Sequence, residues 1–538
     1  MATGKATPPT TTSLRPVTRP SDSDRQPVMH LEIETKLEVT PDAVLPDPLQ
    51  HKAVRKAGLT ELAAPVVHTL DATYYDTDHL DLLRSRVTLR RRTGGDDAGW
   101  HLKLPAGGSG TAGARSELQL PLGSGTRVPR QLDQLVRGTA RGRQLRPVAR
   151  LRNRRTVHRL LDADGTQAVE IADDSVTATR QDSDTVDCWR EVEVELIDGT
   201  PEQLEATVKA LTDAGARPAG NTSKLARVLL PPPAAKPPPK GHSAGSAVLT
   251  ALGRHRDKLI VTDRALREGS GRLDGAAASI HDARACARRI RSVLRVFEAL
   301  FTDEPALGLR DSLEDFGRTL SAARDVEVAR SRLAAGLVEE PEQLVGSAGT
   351  LIGAELDRRS TAAHADIREH LDAAAHLQLL RDLDAFLDDP PITRRAARPA
   401  TSELPVQLGR SWRRLRAKAD AALADPTNTD ALHAVRKAAK TVRYAAESTV
   451  AIFGDDAVLF AAVLEEVQEV LGEFQDAQVS ARLLVELAAQ PDTDGQAGFV
   501  FGRLHAVEQA IAAGAIDDFA DAWDRVEDAE LAGILGTE

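Results

Sequence analysis

The chain has 538 residues, a formal net charge of −11 and only 3% aromatic residues. It is long enough for roughly two to four domains with cores of their own, and its negative total excludes the overall basic field of a general nucleic-acid or anionic-membrane binder, so any anion site must be local. Two unlike cysteines, Cys188 and Cys286, exclude a disulfide framework or a four-cysteine metal site, and no apolar run approaches the ~20 residues of a membrane span, which together predict a protein of the reducing cytoplasm.

Residues 1 to 28 are rich in Pro, Ser, Thr and Arg and predict a disordered tail; Met29, just before the first patterned segment, offers an alternative translation start. From residue 29 to about residue 230 polarity mostly alternates with period two, with turns at Gly94-Gly95 and Asp164-Gly165, which predicts an antiparallel sheet with a few helices. The first strand, Leu31-Glu32-Ile33-Glu34-Thr35-Lys36-Leu37-Glu38-Val39, places every charge on one face. On one strand this is an ordinary solvated face. The habit recurs, however, in Thr88–Arg92, Trp100–Leu104, Arg115–Leu120 and Glu191–Leu196, and across this set both signs of charge recur with strand parity, as expected if these faces converge on the lumen of a closed barrel. Carboxylates hold hard divalent cations and Arg and Lys hold phosphate oxygens, whereas an empty lumen of this kind is a costly assembly of buried charge. The pattern therefore predicts a polyanion with a metal as the occupant.

Glu32-x-Glu34-x-Lys36 resembles the signature of the CYTH, or triphosphate tunnel metalloenzyme, superfamily. Tyr74-Tyr75-Asp76-Thr77, Leu89-Arg90-x-Arg92, Trp100-His101-Leu102-Lys103-Leu104-Pro105, Arg115-x-Glu117, Glu191-x-Glu193-x-Glu195 and Ser223-Lys224-Leu225 follow in the family's order. The resemblance implies an eight-stranded antiparallel tunnel over residues 29 to 230 that acts on triphosphates with two divalent ions, Mg²⁺ or Mn²⁺. Carried over, Glu32, Glu34, Asp174, Glu191 and Glu193 bind metal, with Glu195 as a further candidate; Lys36, Arg90, Arg92, Lys103, Arg115 and Lys224 grip phosphates; and Glu32, Glu34, Lys36, Lys103, Glu117 and Asp174 form the catalytic set. In Leu151-Arg152-Asn153-Arg154-Arg155 two registers are open, with Arg152 and Arg154 favoured as phosphate ligands. Asp174 is favoured over Asp173 because it shares the parity of Glu170. Gln119 replaces a carboxylate that relatives often carry.

The prolines of residues 231 to 242 predict an extended linker. Residues 243 to 538 then show helical period, broken at Gly269 to Gly275, Asp389-Pro390-Pro391 and Asp425-Pro426. This half repeats itself: Leu320–Val328 aligns without a gap on Leu471–Val479, and a His-led basic helix begins about 40 residues before each copy. From His281, the residues Arg284, Arg288, Arg291 and Arg295 fall within an arc of roughly 80° opposite Ile290, Val293, Leu294, Phe297 and Phe301. In the second copy His433, Arg436, Lys440 and Arg443 occupy the same offsets, with Lys437 at the flank. A solvated helix face normally mixes signs. Apart from Asp282, no acid lies between His281 and Arg295, so the repulsion along the stripe is relieved by a linear polyanion. The two histidines serve either the anion or a hydrogen bond within the bundle.

These stripes, the duplication and Leu432-His433-Ala-Val-Arg436-Lys437-Ala-Ala-Lys440-Thr-Val-Arg443-Tyr444 resemble the CHAD family, a pair of antiparallel four-helix bundles associated with inorganic polyphosphate. The expected fold is thus α+β, an eight-stranded barrel followed by an all-α domain of two related four-helix bundles. The expected function is metal-dependent hydrolysis of tripolyphosphate or short polyphosphate, with polymer capture by the helices. A non-catalytic polyphosphate binder and an adenylate cyclase are the alternatives. The basic stripes lack interleaved aromatics on which bases stack, which argues against nucleic acid.

Overall fold

The computed structural model describes residues 28–105, 114–123, 125–183, 185–220, 223–229, 243–269, 276–528 and 532–535; the expected tail and the Pro-rich linker lie outside them. Contacts divide the chain into two compact units, Met1–Val128 with Leu145–Pro232, and Pro129–Gln144 with Pro233–Glu538.

The strands of the first unit are β1 (Val28–Glu38), β2 (Leu59–Leu62), β3 (Val66–Asp76), β4 (Thr88–Thr93), β5 (Gly99–Pro105), β6 (Ala114–Pro121), β7 (Arg146–Asp162), β8 (Gln167–Arg180), β9 (Val186–Leu196) and β10 (Arg217–Pro218). Eight of them close on themselves in the order β1-β6-β5-β4-β3-β7-β8-β9, with β9 returning to β1; β2 pairs with β7 and β10 with β1. All these pairings are antiparallel. Closure leaves the eight strands without a free edge.

Alternation decides which side is apolar. Leu37, Val169, Ile171, Val192 and Val194 face outward, where they form one core with Leu204 and Leu211 of helix α4 (Pro201–Asp213) and Val54 of helix α1 (Lys52–Lys56). α4 starts with a reciprocal cap: Thr200 accepts from the Gln203 amide while the Gln203 side chain accepts from the Thr200 amide. The charged residues of even number on β1 and β4, and of odd number on β5 and β9, are thereby turned inward. Two short helices complete this unit, α2 (Asp81–Arg84) and α5 (Lys224–Leu229), whereas α3 (Arg130–Val136) belongs to the second unit.

The second unit contains α6 (Ala244–Gly269), α7 (Ala276–Val296), α8 (Asp303–Val338), α9 (Glu342–Asp372), α10 (Ala374–Asp388), α11 (Ala400–Ala424), α12 (Thr429–Ser448), α13 (Val450–Phe453), α14 (Asp455–Ala488), α15 (Gly495–Asp528) and α16 (Ala532–Leu535). Its large core takes Ile290, Leu294 and Phe297 from α7, Phe316 from α8, Val435 and Val442 from α12 and Phe460 from α14. The far halves of α8, α9, α14 and α15 bury a second cluster around Leu333, Ile352, Leu484 and Phe501. The repeat is visible in the packing, since α7 lies on α8 as α12 lies on α14, and α7 meets α12. Residues 129 to 144, within the stretch that sequence assigns to the barrel, join these helices through Arg141, whose Nε donates to Asp384 at 2.8 Å, and through Arg381, which donates to the Arg141 carbonyl at 2.6 Å. Among the described residues no helix is long and apolar enough to cross a membrane.

Candidate functional site

Pairing between neighbouring strands sets opposite charges side by side: the register matches Glu32 with Arg115, Lys36 with Glu193, Lys103 with Glu117 and Arg155 with Asp174, and it brings one pair of acids together, Asp174 with Glu191. The side chains complete what the register begins. Lys224, delivered from α5, places Nζ at 2.9 Å from Asp174, 2.6 Å from Glu191 and 2.7 Å from Glu193. Arg155 forks across Asp174 at 2.8 and 2.7 Å and reaches Glu193 at 2.6 Å. Lys36 bonds Glu193 and lies 3.2 Å from Glu34. The indole of Trp189 donates to Glu191 at 2.6 Å.

A second group forms on β1, β4, β5 and β6. Lys103 contacts Glu32 at 2.5 Å, His101 bonds Glu117 at 2.8 Å, and Arg90 lies 3.9 Å from Glu117 while donating to the Tyr74 hydroxyl at 3.4 Å. Arg92 is buried and pairs with Asp97. Glu195 also faces the lumen, across from Glu170. Glu32, Glu34 and Glu193 are therefore packed among charges, with only 12%, 7% and 11% of their side chains exposed.

Burial and crowding split the acids into two kinds. Burial works against the charges of Asp174 and Glu193, but Lys224 and the other facing cations outweigh it, and both carboxyls are held below their usual range. Glu34 is lowered for the same reason, by Lys36, Lys103 and Lys224 against its burial. Glu32 goes the other way: burial pushes it up to about 8, and the carboxyl of Glu117 beside it adds to the rise. Burial likewise lifts Glu195 to about 7 and drops His101 to about 4.

Asp174, Glu191 and Glu193 each offer a carboxylate oxygen, and the three oxygens lie within 4.8 Å of one another. An all-oxygen, buried, anionic trio fits a hard divalent cation such as Mg²⁺ or Mn²⁺. Glu32 and Glu34 are not in this trio. Glu34 is joined to it through Lys36, and Glu32 stands with Lys103 and Glu117.

One expectation is corrected. Arg152 and Arg154 lie on the exposed face of β7, and it is Arg155 that this strand sends into the lumen. The physical reason is register: β7 pairs Arg155 with the inward-facing Asp174, so odd-numbered residues of this stretch point inward. Asp173, the other candidate of its pair, faces outward and bonds Arg190 at 2.8 Å. Sequence reasoning also passed over His101 and Tyr74, although their parity with Lys103 on β5 and the Tyr74–Arg90 pairing across β3 and β4 carry the signal.

In the helical unit, Arg284 and Arg288 of α7 gather with Arg436 and Lys440 of α12, facing Asp325 of α8 and Asp476 of α14. The Nε atoms of Arg288 and Arg436 are buried without a hydrogen-bond partner among the described residues. Burial, then Arg436, Arg288 and Arg284, push Lys440 down to about 6. His433 bonds Gln475 at 2.9 Å, the intrabundle role, while His281, Arg295 and Lys437 are exposed. Arg291 and Arg443 leave the stripe: Arg291 pairs with Glu314 at 2.5 Å and Arg443 with Glu465, which are matching positions of the two repeats. The tenth residue after each histidine turns toward the following long helix and ties the helices together.

A CHAD domain model matches residues 250–485 and a CYTH domain model residues 30–228. The uncharacterised protein Rv2226 of Mycobacterium tuberculosis is 33% identical over 509 residues, covering 90% of this chain and 94% of its own length. A CHAD domain from the plant Ricinus communis is similar at 23% identity and a TM-score of 0.44, over 55% of this chain and 96% of its own. A putative adenylyl cyclase from Hippeastrum, described as having a dominant triphosphatase activity, is similar at 21% identity and a TM-score of 0.22, over 38% of this chain and 99% of its own.

Proposed function

Because the chain belongs to the family that joins a CYTH triphosphate-tunnel domain to a CHAD domain, we propose that its barrel hydrolyses tripolyphosphate or short polyphosphate and that its helical unit captures longer polymer. The observation that carries the reading is the interleaving of Lys36, Arg155 and Lys224 with Asp174, Glu191 and Glu193 inside a closed barrel. A simple anion binder gains nothing from carboxylates beside its cations. Asp174, Glu191 and Glu193 would hold the divalent ion, Mg²⁺ or Mn²⁺, which when bound supplies neutralisation of phosphate oxygens and acidity for a water. Lys36, Arg90, Lys103 and Arg155 exchange their carboxylate partners for phosphate oxygens and keep the chain in line, while the barrel wall limits access of bulk water. In the helical unit, Arg284, Arg288 and Arg436 hold the polymer by charge, and Lys440, neutral near pH 7 while buried among arginines, takes up a proton as the anion enters and becomes the fourth cation.

The test is phosphate release from tripolyphosphate, long polyphosphate and ATP with Mg²⁺ or Mn²⁺, for wild type and Glu32→Ala. Removing a preorganised charged group is expected to slow release from tripolyphosphate on the order of 10²-fold or more. Equal rates for the two proteins refute the catalytic reading, and release of pyrophosphate together with cyclic AMP from ATP, in place of orthophosphate, identifies a cyclase.

A further inference from the structure

Every second residue of β9 shares a face, so Trp189 stands on the same side as Glu191 and Glu193, about 7 Å along the strand from Glu191. Its side chain closes that gap: the indole Nε1–H donates to Glu191 Oε2 at 2.6 Å, and Trp189 is only 8% exposed. The other oxygen, Oε1, is buried. The Lys224 ammonium lies 2.6 Å from it but outside hydrogen-bond geometry, and Oε1 has no hydrogen-bond partner among the described residues. The other two acids of the trio are held differently. Both oxygens of Asp174 and one of Glu193 accept from Arg155, and Glu193 also accepts from Lys36. Those partners are cations, the groups that phosphate oxygens recruit, whereas the indole is a neutral donor. The indole is itself fixed. It packs in one apolar cluster with Leu151 of β7, Val176 of β8 and Leu225 of α5, and the Arg227 guanidinium, bonded to Glu38 of β1 at 3.0 Å, lies over its ring at 4.9 Å. A cation above the ring face draws electron density toward itself and sharpens the N–H as a donor.

We propose that Trp189 is a positioning residue for the divalent ion: it fixes the plane of the Glu191 carboxylate so that Oε1 stays turned toward Asp174 and Glu193 when the lumen's cations move to phosphate. This rests on the reading of Asp174, Glu191 and Glu193 as the holders of that ion. The last torsion of a glutamate is broad and roughly two-fold, so an unanchored Glu191 swings its oxygens freely. A hard divalent cation demands its ligand oxygens in a defined geometry, and that freedom costs affinity. A lysine or arginine in place of the indole would fix the plane but neutralise the charge that attracts the ion. The neutral N–H does the first without the second. Arg155, Lys36 and Lys224 cannot serve as the fixed reference, because they leave their carboxylates for the substrate; the indole, committed to Oε2 and packed on its faces, does not. Hydrogen-bond partners of ligating carboxylates are worth about 10- to 100-fold in metal affinity, which sets the size of the expected effect.

The experiment compares full-length wild type, Trp189→Phe and a chain carrying β-(3-benzothienyl)alanine at position 189, an isostere of tryptophan with sulfur in place of the N–H. Electron paramagnetic resonance of free Mn²⁺ measures metal affinity without substrate, with Glu191→Gln as the baseline for loss of the ligand itself. Calorimetry in EDTA measures tripolyphosphate affinity, all chains then carrying Arg284→Glu with Arg436→Glu so that the helical unit is silenced. Mn²⁺ affinity is expected to fall about 10- to 100-fold in both altered chains, while tripolyphosphate affinity of the benzothienyl chain stays within about twofold of wild type. Wild-type Mn²⁺ affinity in the benzothienyl chain overturns the proposal even where Trp189→Phe weakens binding, because the shape of the ring then accounts for the residue. Equal losses for Mn²⁺ and tripolyphosphate overturn it too, since Trp189 would then support the lumen as a whole. If Trp189→Phe fails to fold, the benzothienyl chain, which keeps the volume, decides alone. Wild type that binds no more Mn²⁺ than Glu191→Gln refutes the trio as a metal site, a separate result with which the positioning role also falls.

Discussion

Arg155 carries two buried carboxylates at once, and its neighbours Arg152 and Arg154 carry none in the lumen. Removing one partner of a buried ionic group leaves the others uncompensated, which costs about 3–5 kcal/mol. Arg155→Met should therefore lower the stability of the metal-free protein by that amount in denaturant titrations, whereas Arg152→Ala and Arg154→Ala should change it by about 0.5 kcal/mol or less. Equal effects at the three positions would return Arg155 to the surface. Lys440 shows the reverse economy, because burial among arginines drops its amine to about 6. The unfolded chain then binds more protons than the native one between about pH 6 and the ordinary lysine value, so stability rises with pH across that window. Lys440→Met should stabilise the protein at pH 7 and flatten that rise, as read from denaturation midpoints between pH 6 and 9; an unchanged slope would mean that the amine is solvated.

At the scale of elements, the repeat separates two kinds of positive charge along α7 and α12. Arg284, Arg288, Arg436 and Lys440 crowd together with only Asp325 and Asp476 opposite, while Arg291 and Arg443 each hold an acid of the following long helix. Arg284→Glu with Arg436→Glu is expected to abolish capture of long polyphosphate, whereas Arg291→Ala should leave capture within about twofold of wild type. Pull-down on immobilised polymer distinguishes them. Loss of capture in both would place the anion along the whole stripe. In the barrel, Gly94 shows how tightly a hairpin is bound to the closed sheet: at φ 81° it runs so near β3 that a Cβ would lie 2.1 Å from the Thr69 carbonyl oxygen. The motif Tyr74 to Thr77 divides its labour similarly, with Tyr74 on Arg90 and Asp76 accepting from the amides of Thr77, Leu82 and Leu83 at 2.7 to 3.0 Å.

For the whole molecule, a net charge of −11 is compatible with the proposed polyanion ligand because the cations are gathered in buried, opposed sets while the acids dominate elsewhere. At physiological salt the screening length is about 8 Å, so the ligand responds to the local cluster and not to the total. Four neutralised phosphates predict a slope of log affinity against log salt of about −3, at roughly −0.7 per contact for a single-stranded polyanion. Titration of the full chain with long polyphosphate from low to high salt measures it, and a slope near zero would exclude charge as the source of capture.

The sequence alone determined the periods, the faces and the repeat. Alternating charge on β1, β4, β5, β6 and β9 foretold a charged lumen, the change from period two to helical period placed the two halves, and the copies at Leu320 and Leu471 foretold paired helices. These features follow from backbone geometry over a few residues, which local sequence controls. Only the tertiary structure decided that Arg155 faces Asp174, that Asp174, Glu191 and Glu193 gather around Lys224 apart from Glu32, that Arg291 and Arg443 are spent on ion pairs, and that residues 129 to 144 cluster with the helices. Parity offers each strand two faces, but which charges of one parity meet depends on the register of strands far apart in sequence and on the burial that closure imposes.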